Sequence, residues 1–375
     1  MLIALKPCLK IMSENYRQQK SGKEMMKMQK WSICFVALSM VLMISASAGA
    51  GDKIVWKMAS SWPKGTILQK TADAFAKRVG EMSGGRLVIK SYAAGVLMGA
   101  LEVNDGVRMG TIDIAHCSPA YQMGKLPAGP LFGFIPFGMD VLPYLTWLYH
   151  GGGAELYQEL YSSYDLGFAA PCGMLPSENL AWSNKPITSM ADFKGLKFRT
   201  SGFWGEILSQ TGASVMMLPA GEIYEALQRK ILDAGEFSTP SMDKDLAFHE
   251  IAKYLLVPGV HQPSTVMDIT INKKSWAKLS PDLQAIIRTA AQATTLEMVT
   301  LSIDEDIKAL NFFKEKGVQI QYLDPAIQKD LAEKARVLLD KKAAQDPFFA
   351  KVLASQRAFR KGFANYRELM TPTVK

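Results

Sequence analysis

A chain of 375 residues with 43 Lys and Arg against 35 Asp and Glu, a formal charge of +8, raises nucleic acid as a partner. The first fifty residues dispose of that: they hold seven of the basic and two of the acidic residues, so everything after Ala50 is close to neutral at +3. A disulfide framework is excluded as well, because only Cys117 and Cys172 lie beyond residue 50 and they stand far apart.

Taken in order, the chain opens on a segment unlike the rest. Lys23–Lys30 is basic and Met-rich, Trp31–Ile44 is an apolar run broken by Ser32 and Ser39, and Ser45–Ala50 is small residues. This is the order of a secretory signal, read here as a leader over 1–50 with the signal at about 23–50 and cleavage after Ala50. Initiation at Met25, Met26 or Met28 leaves a more ordinary signal. The apolar run falls short of the roughly 20 residues of a membrane span, an uncleaved anchor being the lesser alternative. Cys34 has no Leu-x-Gly before it, which argues against a lipid anchor. The expectation is an exported, periplasmic protein.

Lys53–Ser60 alternates apolar and polar residues and predicts a strand; Ser61–Gly65 turns with an aromatic, Trp62, at its tip. Leu68, Ala72, Phe75, Ala76 and Val79 have helical spacing within Thr66–Met82, Ser83-Gly84-Gly85 stops that helix, and Arg86–Tyr92 is the next strand. A short helix at Glu102–Met109 and a strand at Thr111–Cys117 extend a β-α-β series, which predicts a mostly parallel, two-faced sheet. Residues 124–138 read as a long ordered loop, too apolar for disorder. Helices follow at Val141–His150 and Ala154–Tyr161; the triple glycine between them lacks the spacing of a phosphate cradle.

A second β/α series is read from Leu166–Gly173 through the strand Lys194–Arg199, helix Trp204–Thr211, strand Ala213–Leu218, helix Glu222–Arg229 and strand Ile231–Phe237. Thr265–Asn272 suits a return crossing, and 279–316, Asp324–Gln345 and Pro347–Met370 are helical. The fold class is therefore α/β with two lobes and a cleft between them. The division expected is 51–171 with about 264–300 for one lobe, 172–263 with parts of 301–346 for the other, and a C-terminal helix over 347–375 that braces the lobes or a second subunit.

Catalytic chemistry is thinly represented. The four histidines show no zinc-protease spacing and no Gly-x-Ser-x-Gly elbow occurs. His116 and Cys117 are neighbours at a strand end, but successive strand residues face opposite ways, which works against a nucleophile pair. Binding chemistry is richer. Arg199 ends an alternating strand and is followed by Ser-Gly and the aromatic pair Phe203-Trp204, a rigid edge suited to bidentate capture of a carboxylate. The ordinary alternative is a solvated surface arginine. Glu236 and Phe237 end another strand, and Glu178 lies four residues before Trp182. With Arg199 these glutamates could meet a ligand carboxylate with a guanidinium on one side and an oxygen-bound cation on the other.

VWKMASSWPKG, DIAHCSPAY, PFGMD, the GGG before a helix, GLKFRTSGFWGEIL, GEIYEAL, and DAGEF followed by KYLLVPG together resemble a solute-binding protein of a tripartite ATP-independent periplasmic (TRAP) transporter. The resemblance spans essentially Lys53–Met370 and is nearest to the binders of 2-oxo acids and related monocarboxylates. It implies two lobes closing over a small organic acid, delivery to the membrane permease, and a C-terminal helix that in some members dimerises. It gives Arg199 the substrate carboxylate, and Glu236 with the Phe237 carbonyl a bridging Na⁺ or Ca²⁺. The resemblance implies that the 2-oxo-acid binders carry glutamine at the Glu178 position and commonly tryptophan at the Phe237 position. The second carboxylate here favours a divalent ion such as Ca²⁺, or a different ligand. Trp62, Tyr121, Phe203 and Trp204 are expected to line the pocket. The rivals are an exported enzyme using His116 and Cys117, and a ligand-sensing partner of a membrane receptor.

Overall fold

The computed structural model describes residues Lys53–Thr371, so the leader read at 1–50 lies outside the described residues. Strands run in chain order as β1 (Ile54–Ser60), β2 (Leu87–Tyr92), β3 (Ile114–Cys117), β4 (Leu166–Leu175), β5 (Ala181–Ser183), β6 (Lys197–Arg199), β7 (Ser214–Met216), β8 (Ala234–Gly235), β9 (Tyr254–Val257), β10 (Thr265–Asn272) and β11 (Gln319–Tyr322). They form two sheets, ordered β2-β1-β3-β10-β4 and β11-β9-β5-β8-β6-β7.

The first sheet grows from the predicted β-α-β unit. β1 pairs parallel with β2 and β3, and helix Ile67–Met82 between β1 and β2 buries Leu68, Ala72, Phe75, Ala76 and Val79, the residues its spacing marked out. Thr66 caps that helix by accepting from the Gln69 amide, and the burial of Phe75 alone is worth about 1.5–3 kcal/mol. Neither sheet is purely parallel. β10 returns antiparallel to β3 and β4, and β5 runs antiparallel to β8 and β9.

Three expectations are corrected. β4 belongs whole to the first sheet, as the partner of β10, so it does not open the second series, and residue 171 falls inside it. Residues 124–138 are not all loop: Pro130–Gly133 forms a helical turn with every residue buried, a plug of the first core. The second sheet is built from strands shorter than predicted, β8 having two residues where seven were expected, and β5, β9 and β11 were not foreseen.

The chain passes from the first sheet to the second between β4 and β5 and returns between β9 and β10. Helix Pro281–Glu315 makes a third connection, packing on β4 and helix Ile67–Met82 at one end and on helix Pro240–Asp245 at the other. At 1.5 Å per residue it is about 50 Å long, enough to brace both lobes. The C-terminal helix Pro347–Met370 buries Phe349, Val352, Leu353 and Gln356 in its own chain, while Tyr366, Leu369 and Met370 are exposed. No helix among the described residues is long and apolar enough to cross a membrane.

Candidate ligand and cation site

The two crossing segments and the ends of the parallel strands β6 and β8 meet at one place. Arg199, the last residue of β6, pairs in register with Gly235 of β8, where a Cβ would stand 3.3 Å from the Arg199 Cβ. A glycine there leaves room for the start of the Arg199 side chain on the neighbouring strand. Arg199 is 1% exposed. Its Nε donates to the Leu218 carbonyl at 3.0 Å, and Nη1 donates to the Glu236 carbonyl at 2.5 Å and to Glu236 Oε2 at 3.2 Å. The Phe237 ring stacks over the guanidinium at 5.6 Å. The surface alternative for Arg199 is thereby excluded.

Glu178 arrives on the segment joining β4 to β5 and is buried. Thr265 Oγ1 donates to its Oε1 at 2.8 Å, and the Gln262 side-chain amide, in the orientation its neighbours require, donates to both oxygens at 2.8 and 2.9 Å. Burial first, and the charge of Glu236 second, hold the Glu178 carboxyl well above the usual carboxylate range. His261, from the return segment, is fully buried with Nε2 at 3.9 Å from Glu178 Oε2. Burial and the Arg199 charge push its pKa down to about 3, so this contact joins a neutral imidazole to the carboxyl and is no ion pair. One ligand atom each from Glu178, Glu236 and His261 lie within 4.8 Å of one another. Glu236 Oε1 and both ring nitrogens of His261 have no hydrogen-bond partner among the described residues. Two carboxyls, an imidazole and orphaned buried acceptors are a donor set that fits a cation.

Below this cluster Asp243 ties the segments together. Its Oδ2 accepts from Asn179 Nδ2 at 3.0 Å and Trp182 Nε1 at 2.8 Å, and its Oδ1 accepts from the Ser238 amide at 3.2 Å. Glu178 and Phe237 each adjoin one of those tied residues, so the network sets the spacing of the site.

Above it lies a cavity of about 20 Å³, walled by Trp62, Tyr121, Glu178, Arg199 and Phe237 with apolar Leu68, Leu175 and Met267. That is room for about one water, so a larger ligand requires the lobes to part. Hollows of about 530 and 290 Å³ lie along the C-terminal helix beside Gly138 and Arg360, but the buried charged groups are not there. Trp62 is fixed by Nε1 donating to His116 Nδ1 at 2.5 Å, while His116 Nε2 faces the Cys172 carbonyl at 3.1 Å.

The structure thus brings together Trp62, Tyr121, Glu178, Arg199, Glu236 and Phe237. It does not bring Phe203 or Trp204 to the cavity wall. Helix Gly202–Ser209 turns Phe203 edge-on to Phe349 at 5.6 Å, and Trp204 backs His261 at 5.6 Å. The nucleophile pair fails too. Burial lowers His116 to about 4 and raises Cys117 to about 12, so there is no thiolate, and the imidazole is committed to Trp62. His261, Gln262, Thr265 and Asp243 were missed; the polar run His261–Thr265 directly before an apolar strand was the available signal for three of them.

Residues 58–346 match the family described as bacterial extracellular solute-binding protein, family 7 (DctP). The chain is 33% identical over 318 residues to a monocarboxylate 2-oxoacid-binding periplasmic protein of Nostoc sp., covering 84% of this chain and 87% of that one. A TRAP transporter solute-binding protein from Bordetella bronchiseptica, solved as a mixed-occupancy dimer with copurified calcium and picolinate, superposes with TM-score 0.83 at 27% identity over 85% of this chain and 95% of that one. A TRAP periplasmic solute-binding protein from Pseudoalteromonas atlantica with bound sodium and pyruvate gives TM-score 0.81 at 31% identity over 85% and 97%.

Proposed function

Because the chain belongs to family 7 of the bacterial extracellular solute-binding proteins, we propose that it captures a small 2-oxo or hydroxy acid with a cation in the periplasm and delivers it to a TRAP permease. The observation that carries this reading is a guanidinium 1% exposed, facing a cavity with two buried glutamates beside it. Arg199 takes the ligand carboxylate, Trp62 and Tyr121 wall it, and Glu236, Glu178 and the Phe237 carbonyl hold the cation. The likeness to proteins solved with pyruvate and sodium, or picolinate and calcium, supports the same assignment.

Charge decides which cation suits this chain. With a cation in place of the Glu178 proton, Arg199, the two glutamates and a bound monocarboxylate sum to minus two, which a dication neutralises and Na⁺ only halves. In a site without water an uncompensated charge costs several kcal/mol. Export through the 23–50 signal, lobes divided near the β4–β5 crossing, and pairing of two copies through the exposed end of helix Pro347–Met370 complete the proposal.

Calorimetry with pyruvate in Ca²⁺ or Na⁺ tests it. Cation-dependent binding is expected, strongest with the dication. Arg199→Ala should weaken it at least about a hundredfold, since each charge-assisted hydrogen bond is worth about 1.5–3 kcal/mol. Failure of every small acid to bind with either cation overturns the function; unchanged affinity in the variant overturns the role of Arg199.

A further inference from the structure

Resting on the acid-capture reading above, we infer that His116 is a positioning residue for the ligand: a bulge in β4 holds its imidazole as the Nε2–H tautomer, and the ring in turn fixes the Trp62 indole as the first sheet's wall of the cavity.

The backbone sets this up. β4 pairs with β10 along its length, but the register shifts between Met267, opposite Gly173, and Asp268, opposite Pro171, so Cys172 has no residue opposite it. Such a bulge disrupts the ladder locally and leaves the extra residue unpaired. The Cys172 carbonyl is the group that His116 Nε2 faces, at 3.1 Å, from β3 on the far side of β10. A carbonyl only accepts, so Nε2 carries the proton and Nδ1 is left as an acceptor. Trp62 Nε1, which only donates, meets that Nδ1 at 2.5 Å. The two contacts together permit one tautomer and no imidazolium. Burial brings the ring down to about 4 against the opposing Cys172 hydrogen bond and Asp73 charge, so it is neutral at neutral pH.

What the ring holds is the wall and not the acid. His116 is fully buried behind the cavity, whereas Trp62 lines it, 2% exposed, on the turn after β1 whose Ser61 amide donates to the His116 carbonyl at 3.0 Å. An indole can turn about two side-chain torsions unless its edge is held. Here His116 holds the N–H edge, and the Tyr121 ring packs on the indole, tilted at 6.1 Å. Closure brings this wall onto an acid held by Arg199 from the second sheet, so the affinity of the closed state depends on the angle at which His116 sets the indole.

Calorimetry of pyruvate with Ca²⁺ on the full chain, run as a double-mutant cycle, gives the test. His116→Leu should weaken binding about tenfold, the fold-change that corresponds to leaving one buried donor unpaired. In a Trp62→Phe background, which has no indole N–H to hold, the same substitution should change affinity less than about twofold. His116→Gln, which offers an acceptor and a donor in one side chain, should recover most of the loss. An equal loss in both backgrounds marks a merely structural role and overturns the inference. If the leucine variant does not fold, nitrogen-15 spectra of the unmodified protein decide. The Trp62 indole proton, identified by its disappearance in Trp62→Phe, should lie downfield of the other indole protons, and a position among them overturns the inference. No acid bound by the unmodified protein with Ca²⁺ or Na⁺ overturns the proposed function and this inference with it; pyruvate bound alike by the unmodified protein and His116→Leu overturns this inference alone.

Discussion

Asp268 lies in the middle of β10 with no exposed surface. Tyr157 and Tyr161 donate to its Oδ2 at 2.9 and 2.5 Å, and Oδ1 has no partner among the described residues. The other titratable groups facing it are Tyr144, Cys117 and Cys172, none of them cationic. Burial therefore raises its pKa from 3.8 to about 7, and the two phenols only offset part of the rise. The native state holds this proton to higher pH than the unfolded chain does, so the stability present below pH 4 is lost as pH rises toward 7. At about 1.4 kcal/mol per unit the swing is on the order of 4 kcal/mol. Denaturant unfolding at pH 5 and pH 8 should show about 3 kcal/mol of that loss in the natural protein and not in Asp268→Asn, since about two of the units lie above pH 5; parallel pH dependence in both would refute it. Residues of this kind are hard to read from sequence. Arg199, Glu178 and Glu236 were legible because each is a charged group beside a strand end or an aromatic. His261 was one histidine among four in a polar run, and its burial depends on Trp204, 57 positions away in a different element.

At the scale of elements, the site depends on how closely the two crossing segments approach. A Cβ at Gly259 would lie 2.1 Å from the Glu178 carbonyl oxygen and 2.6 Å from its carbon, both backbone atoms that cannot swing aside. Gly259→Ala must separate the segments, with an overpacking cost of about 1–3 kcal/mol and displacement of Glu178 from the cluster. Pyruvate affinity should drop more than about tenfold, while Gly221→Ala, with nothing within 4 Å on helix Ala220–Gln228, keeps it and gains up to about 1 kcal/mol. Equal affinities in the two variants would show that the approach is not needed. Elements with their own periodicity were the ones the sequence marked: helix Ile67–Met82, the long helix Pro281–Glu315 and β10. Apart from β6, whose alternation marked Arg199, the two- to four-residue strands of the second sheet are too short to show a period, because pairing with distant neighbours defines them.

For the whole molecule, the small cavity and the three connections between the sheets bear on one motion. A space of about 20 Å³ is smaller than an organic acid, so loading requires the sheets to separate, and the closed state that holds the acid keeps them slightly further apart than here. The β4–β5 and β9–β10 crossings are short, and helix Pro281–Glu315 packs on elements of both sheets, which leaves rotation about the crossings as the available movement. Arg199 and Glu236 come from the second sheet's strand ends, whereas Trp62 and Thr265 stand at the ends of β1 and β10 in the first. An acid held by both groups stabilises the closed state only, and that differential affinity drives closure. Small-angle scattering of the ligand-free protein should therefore give a radius of gyration larger than this structure implies, shrinking when pyruvate and a dication are added together. Forward intensity from the same samples reports mass and should correspond to two copies, falling to one when Leu369→Asp charges the exposed end of the C-terminal helix, where Leu369 is 83% exposed. In Arg199→Ala the mass should stay and the compaction should vanish, because the fold keeps its hinge but loses the contact that selects the closed state. Compaction that survives Arg199→Ala would mean that closure is driven by something other than the captured carboxylate.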